Sequence, residues 1–156
     1  TNTTRKTMET AGALLEKGIH SEDIIDRTFY KKSYVQNQIL GRALLESVLF
    51  YDGKCIFSSV TRDEMDFYGV TGRELGGIIE QLRLTDGVEV AIFLYETGEN
   101  EYKVSLRSKK EIDVSRIAAC FGGGGHIRAA GFNAKGTVYE IVNRIGEMIE
   151  QQYAQE

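Results

Sequence analysis

Residues 88–95 read Val-Glu-Val-Ala-Ile-Phe-Leu-Tyr, and residues 102–107 read Tyr-Lys-Val-Ser-Leu-Arg. The first run is almost continuously apolar, the pattern of a strand covered on both faces of its sheet. The second alternates, with Tyr102, Val104 and Leu106 set against Lys103, Ser105 and Arg107. One face of that strand is therefore buried and the other meets water. The polar segment 96–101 between them reads as a loop. A doubly covered strand requires helices on both sides, and the flanking sequence supplies them.

Upstream, Thr71 and Glu74 form a capping box ahead of Leu75, Ile78, Ile79 and Leu82, spaced as one helix face. Before that, Asp52-Gly53 separates two β-prone runs, 47–51 and 54–60, and predicts a hairpin. Ser33 and Gln36 form a capping box for a longer helix that places Val35, Ile39, Ala43 and Leu44 on one side. Two shorter helices precede it. One spans residues 5–17, carries Met8, Ala11 and Leu15, and stops at Gly18; Ser21 heads the other, with Ile24, Ile25 and Phe29. The polar opening, 1–4, reads as a linker. Downstream, Asp113 caps a short helix with Val114, Ile117, Ala118 and Phe121 on one face. Thr137 and Glu140 then cap a final amphipathic helix bearing Val138, Ile141, Val142, Ile145 and Ile149. The fold class that follows is α/β (α+β), a mixed sheet of about five strands covered by helices.

Composition sets further bounds. At 156 residues the chain can bury a core without disulfides. Its net charge of −4 excludes a broadly basic nucleic-acid-coating surface, so any phosphate recognition must be local. No apolar run approaches ~20 residues and no signal peptide opens the chain, so the expectation is a cytoplasmic protein with no membrane partner. Cys55 and Cys120 lie in apolar surroundings and read as small core residues.

Residues 121–132, Phe-Gly-Gly-Gly-Gly-His-Ile-Arg-Ala-Ala-Gly-Phe, are the most biased stretch of the chain. A glycine run leading into a helical turn would present backbone N–H groups to an anion, with His126 beside them. A flexible connector is the competing reading, but Phe121 and Phe132 bracket the run, and Ala129 and Ala130 point to close backbone packing. No Gly-Lys-Ser/Thr follows, so this is not a Walker loop, and no strand leads in as a Rossmann fingerprint requires. Arg107 and Ser108 end a strand, where ligands commonly bind and where a guanidinium can grip a phosphate. A plain surface arginine remains the alternative. Asp63, Glu64 and Asp66 have no nearby histidine and read as a solvated turn or helix start rather than a metal site.

Taken together, Ser105-Leu-Arg-Ser108, Asp113-Val-Ser-Arg-Ile-Ala118, Phe121-Gly-Gly-Gly-Gly-His126 and Ala129-Ala-Gly-Phe132 closely resemble the C-terminal, DHH-associated domain of DHH-family phosphoesterases. Among these they are most similar to the bifunctional oligoribonuclease and phosphoadenosine-phosphate phosphatase type. The resemblance implies that 33–156 is the DHH-associated substrate-binding domain. Residues 1–32 would then be linker helices and the end of a preceding catalytic domain. It further implies a two-domain hydrolase acting on short oligonucleotides or 3′-phosphoadenosine 5′-phosphate, with Mn²⁺ or a similar divalent metal held by an N-terminal DHH catalytic domain. On that carry-over Arg107 and Ser108 contact the nucleotide or its phosphate. Gly123, Gly124, Gly125 and His126 hold the phosphate nearest the metals, and His126 takes the catalytic role of neutralising transition-state charge.

The chain departs from the family in one large respect. It contains no Asp-His-His triplet, and His20 and His126 are its only histidines. It is therefore expected to be an excised domain or to act with a separate catalytic partner, binding alone without catalysing. A homodimer would form through the full-length enzyme. Two other substrate roles stay open: the substrate domain of a cyclic-dinucleotide phosphodiesterase, and a non-catalytic RNA-binding module like that ending alanyl-tRNA synthetases. An interaction or dimerisation domain is a third possibility, resting only on amphipathic helices that the core itself needs.

Overall fold

A computed structural model describes residues 3–154. The chain divides into two compact units between Ser33 and Tyr34. In the first, α1 (Arg5–Glu16) is closed at its start by a capping box between Thr4 and Thr7. Thr4, in the polar opening, is thus a helix cap, while Thr1 and Asn2 lie outside the described residues. A second helix, α2 (Ser21–Ile25), widens into a π-helical turn over Asp26–Tyr30.

The second unit runs α3 (Tyr34–Leu45), β1 (Val48–Phe50), β2 (Cys55–Val60), α4 (Arg62–Tyr68), α5 (Ile78–Leu84), β3 (Val90–Gly98), β4 (Glu101–Ser108), α6 (Val114–Cys120), β5 (Gly124–His126), β6 (Ala129–Lys135) and α7 (Val138–Tyr153). The strands lie in the order β1-β2-β3-β4-β6-β5. Only β2 and β3 run parallel; every other neighbouring pair is antiparallel. This is an open, mixed, six-stranded α+β sheet, one strand more than the pattern predicts. The strands that the sequence pattern leaves unassigned are β6 and β5, the latter holding the last two glycines of the run and His126.

The central strand is buried on both faces, as its composition requires. Ile92 and Leu94 join Val104, Leu106, Ile117, Phe132 and Ile145 in a core between the sheet and α6 and α7. Ala91 and Phe93 point the other way, into a core with Ile39, Met65, Ile78 and Leu82 from α3, α4 and α5. Two helix starts follow the caps read from sequence. Asp113 accepts from the N–H groups of Ser115 and Arg116, and Thr137 and Glu140 exchange bonds across the first turn of α7. Asp63 and Glu64 occupy the first turn of α4, where Glu64 closes a capping box with Thr61 and pairs with Arg42.

Three expectations change. The segment 96–101 is mostly strand: β3 and β4 pair through Glu96↔Tyr102 and Gly98↔Glu101 around a bulge, leaving only Glu99 and Asn100 to turn. Backbone pairing does not require apolar side chains, so the polar composition concealed it. The Thr71–Glu74 bonds form, but no helix follows until Ile78, because Gly77 adopts a φ of 96° at the start of α5. Cys55 is buried, and burial pushes its thiol up to about 12, whereas Cys120 is exposed at the end of α6. The hairpin at Asp52-Gly53 is present, both residues having positive φ as a primed turn demands. Among the described residues no helix is long and apolar enough to cross a membrane.

Leu106 is fully buried on β4. Its truncation in Leu106→Ala should cost about 2–5 kcal/mol, read as a lowered urea midpoint at unchanged slope.

Candidate functional site

The glycine run closes a helix instead of opening one. Gly122 has a φ of 74°, its N–H donates to Ala119, and the N–H of Gly123 donates to Ala118, a Schellman closure of α6. The expected helix N-terminus, with N–H groups turned toward an anion, is therefore absent from this segment. The chain enters β5, which lies at the sheet edge and pairs with β6 through Gly124↔Gly131, Gly125↔Ala130 and His126↔Ala129. Phe121 and Phe132, which bracket the run, stack with ring centroids 4.2 Å apart, and Arg144 lies over Phe121.

Three of the four glycines are demanded by the fold. Gly122 needs its left-handed conformation. A side chain at Gly123 would overlap the Gly131 carbonyl and Phe132, and one at Gly125 would meet the Ala129 carbonyl and Ala130 Cα at 2.5 Å. Gly124 is different: a Cβ there meets nothing within 4 Å. Its bareness has no internal cause.

Strand register decides what surrounds Gly124, because paired residues share a face. Across β3, β4, β6 and β5 one row reads Phe93, Ser105, Gly131, Gly124, and the next reads Ala91, Arg107, Ala129, His126. Arg107 and His126 thus flank Ala129 on one face, two strand spacings or roughly 10 Å apart. The exposed part of this face is floored by Gly131, Ala129 and Gly124, so a ligand could lie directly against backbone.

Arg107 is held at the rim. Its Nε donates to Glu80 of α5 at 2.7 Å and its Nη1 to the Leu106 carbonyl at 3.0 Å. Arg83 shares the Glu80 carboxylate. Burial alone would raise that carboxyl, but the hydrogen bonds from Arg107 and Arg83 outweigh it and keep the group below its ordinary 4.5.

Ser108 takes a different place from the one expected. It is 3% exposed, and its hydroxyl donates to the Ile112 carbonyl at 2.7 Å. The even positions of β4 face α6 and α7, so this side chain lies on the opposite face from Arg107. It fastens the His126 turn. The Ser108 N–H donates to the Arg128 carbonyl, Arg128 Nη1 donates to the Ile112 carbonyl, and the Val114 N–H donates to the Ile127 carbonyl. The two-residue connection, Ile127-Arg128, lacks the positive φ that favours such hairpins, so these external bonds hold it closed.

The anchor below them is Glu89, 9% exposed, whose carboxylate accepts the N–H groups of Lys110, Glu111 and Ile112. A single acid in the apolar run 88–95 was the available signal for it. Glu80 offered none, being 27 residues from its partner Arg107.

The DHHA1 domain family matches residues 52–155, and this chain belongs to that family. It is 31% identical over 143 residues to the bifunctional oligoribonuclease and PAP phosphatase NrnA of Thermus thermophilus, covering 86% of this chain and 40% of the relative. The protein of the same name from Bacillus subtilis is 25% identical over 130 residues, covering 83% of this chain and again 40% of the relative. The chain thus spans about two-fifths of the length of these relatives. Among solved structures, an exopolyphosphatase-related protein from Bacteroides fragilis superposes with a TM-score of 0.86 at 27% identity, covering 95% of this chain and 44% of that one.

Two outcomes follow from the geometry. Gly123→Ala should lose about 1–3 kcal/mol of stability, since backbone must shift, while Gly124→Ala should melt within ~0.5 kcal/mol of the parent; thermal unfolding of both variants checks this. Glu80 contributes stability above its ordinary value that is lost as pH falls through the lowered one. Urea midpoints of Glu80→Gln should therefore decline less steeply than those of the parent below pH 4.5.

Proposed function

We propose that this chain is the substrate-binding half of a cytoplasmic, two-domain, metal-dependent phosphodiesterase that hydrolyses short oligonucleotides or 3′-phosphoadenosine 5′-phosphate. The observation that carries the reading is the row Arg107, Ala129, His126, with Gly124, the one glycine of the run that the fold does not require, in the row beside it. Two donors of positive or titratable character face a strip with almost no side chains, which suits a phosphate resting on backbone. The names of the two relatives, oligoribonuclease and PAP phosphatase, supply the substrate class.

In this reading Arg107, oriented by Glu80, grips a phosphate oxygen, and Gly124 admits the phosphate to the backbone. Gly123 and Gly125 shape the hairpin, and Ser108 acts through Ile112 to hold the turn. His126 donates to the phosphoryl oxygens and offsets the charge that grows on them in the transition state. Among the described residues no group of three or more His, Cys, Asp or Glu side chains could hold a metal ion. In this reading the divalent metal is held by a DHH catalytic domain elsewhere in the protein or in a partner.

Purified chain should show no Mn²⁺-dependent hydrolysis of bis-p-nitrophenyl phosphate; sustained turnover would refute the division of labour. By calorimetry it should bind adenosine 5′-monophosphate weakly, and Arg107→Ala or His126→Ala should weaken that binding further. Unchanged affinity in both variants would overturn the site.

A further inference from the structure

We infer that the groove beside Arg107 seats a nucleobase, so that the site selects nucleoside phosphates over inorganic polyphosphate chains. The inference rests on the phosphate reading of the Arg107–His126 row. The groove holds about 270 Å³ and is lined by Gly72, Gly76, Tyr95, Lys103, Ser105 and Arg107, among others. Pockets for drug-sized molecules begin at ~300 Å³, so this one suits a single flat ring system and not a whole dinucleotide.

Its floor is level. Ser105 stands between Phe93 on β3 and Gly131 on β6, in the row that ends at Gly124. A strip of small residues therefore runs without a step from the bare glycine into the groove. Its wall is aromatic. Tyr95 pairs across the sheet with Lys103, and its ring leans on Phe93 with centroids 6.4 Å apart at 38°. The tyrosine hydroxyl end reaches so far over the α4–α5 connection that a Cβ at Gly72 would come within 2.6 Å of it. Glycine at 72 thus allows the ring its position at the groove.

Register connects groove and phosphate. The Ser105 row lies two residues, or roughly 7 Å, from the Arg107 row along the strand. A phosphate resting over Ala129 would direct its sugar across Gly131 and Ser105, and its base against Tyr95. Stacking on an aromatic ring is tolerant of base identity, because every base has a π face. Lys103 at the rim adds a cation for a second phosphate. An inorganic chain has cations to meet here but nothing flat to fill the groove.

Calorimetry on the 156-residue chain with adenosine 5′-monophosphate, ribose 5-phosphate and tripolyphosphate tests this. The parent should bind the nucleotide roughly tenfold more tightly than ribose 5-phosphate, within the range of one base–aromatic stack. Tyr95→Ala, which removes the wall, should bring that ratio close to one while leaving ribose 5-phosphate affinity unchanged. Ser105→Leu, which fills the floor beneath sugar and base, should weaken the nucleotide more than ribose 5-phosphate and so lower the ratio. Ser105→Leu carries the test should Tyr95→Ala fail to fold. Saturation of tyrosine ring protons should transfer to the adenine protons in the parent and not in Tyr95→Ala. Equal binding of nucleotide and ribose 5-phosphate by the parent, equally tight tripolyphosphate, or an unchanged ratio in Ser105→Leu would each overturn the inference. His126→Ala should weaken all three ligands in parallel. No effect of that variant or of Arg107→Ala would overturn the phosphate reading, while the nucleotide to ribose-phosphate ratio of the parent still reports on the groove. Failure of the parent to bind the nucleotide at all would overturn both.

Discussion

The antiparallel ladder between β4 and β6 is the constraint on which the rest depends. It joins residues 101–107 to residues 129–135 in fixed register, from Glu101↔Lys135 to Arg107↔Ala129. A slip of one residue would turn Val104, Leu106, Ala130 and Phe132 out of the core beneath α6 and α7. The burial of those side chains therefore pins the register. The same register places Arg107, Ala129 and His126 in one line on the opposite face. Core packing on one side of the sheet thus aligns the candidate site on the other.

The hairpin carrying His126 depends on that ladder and on a second set of restraints. Gly123 and Gly125 let β5 approach β6 closely enough to pair, and the Schellman closure at Gly122 directs the chain out of α6 toward it. The Ile127-Arg128 connection is then tied to Ile112 and Val114, and the segment preceding them is wrapped around the buried Glu89 carboxylate. A charged group so placed is tolerable because its oxygens accept several backbone N–H groups. Removing the acceptor would strand those N–H groups in the interior.

Much of the architecture could be read in advance, because the signals were local. Asp113 and Thr137 cap their helices through residues only two or three positions away. The alternation of 102–107 and the unbroken apolarity of 88–95 report directly on which faces are covered. Errors fell where local chemistry was ambiguous. Four glycines suit a helix end as well as a helix start, and the Thr71–Glu74 pair made its bonds without a helix following. Polar side chains at 96–101 said nothing of the backbone pairing beneath them. The motif set shared with DHH-associated domains pointed to the family, which the match over residues 52–155 shows.

Sequence alone therefore determined most of the helices and the first four strands, the covered central strand, the family and the segment in which to seek function. Only the tertiary structure decided how that segment divides. It separates Gly124 from its three neighbours because steric need depends on what packs opposite, and Gly131, Phe132 and Ala130 are distant in the pattern that sequence reading uses. It turns Ser108 into the core and Arg107 out beside Glu80, because adjacent residues of a strand point to opposite faces and burial selects which is inside. The line from Arg107 to His126 likewise exists only across three strands, where hydrogen-bond register fixes the distance between them.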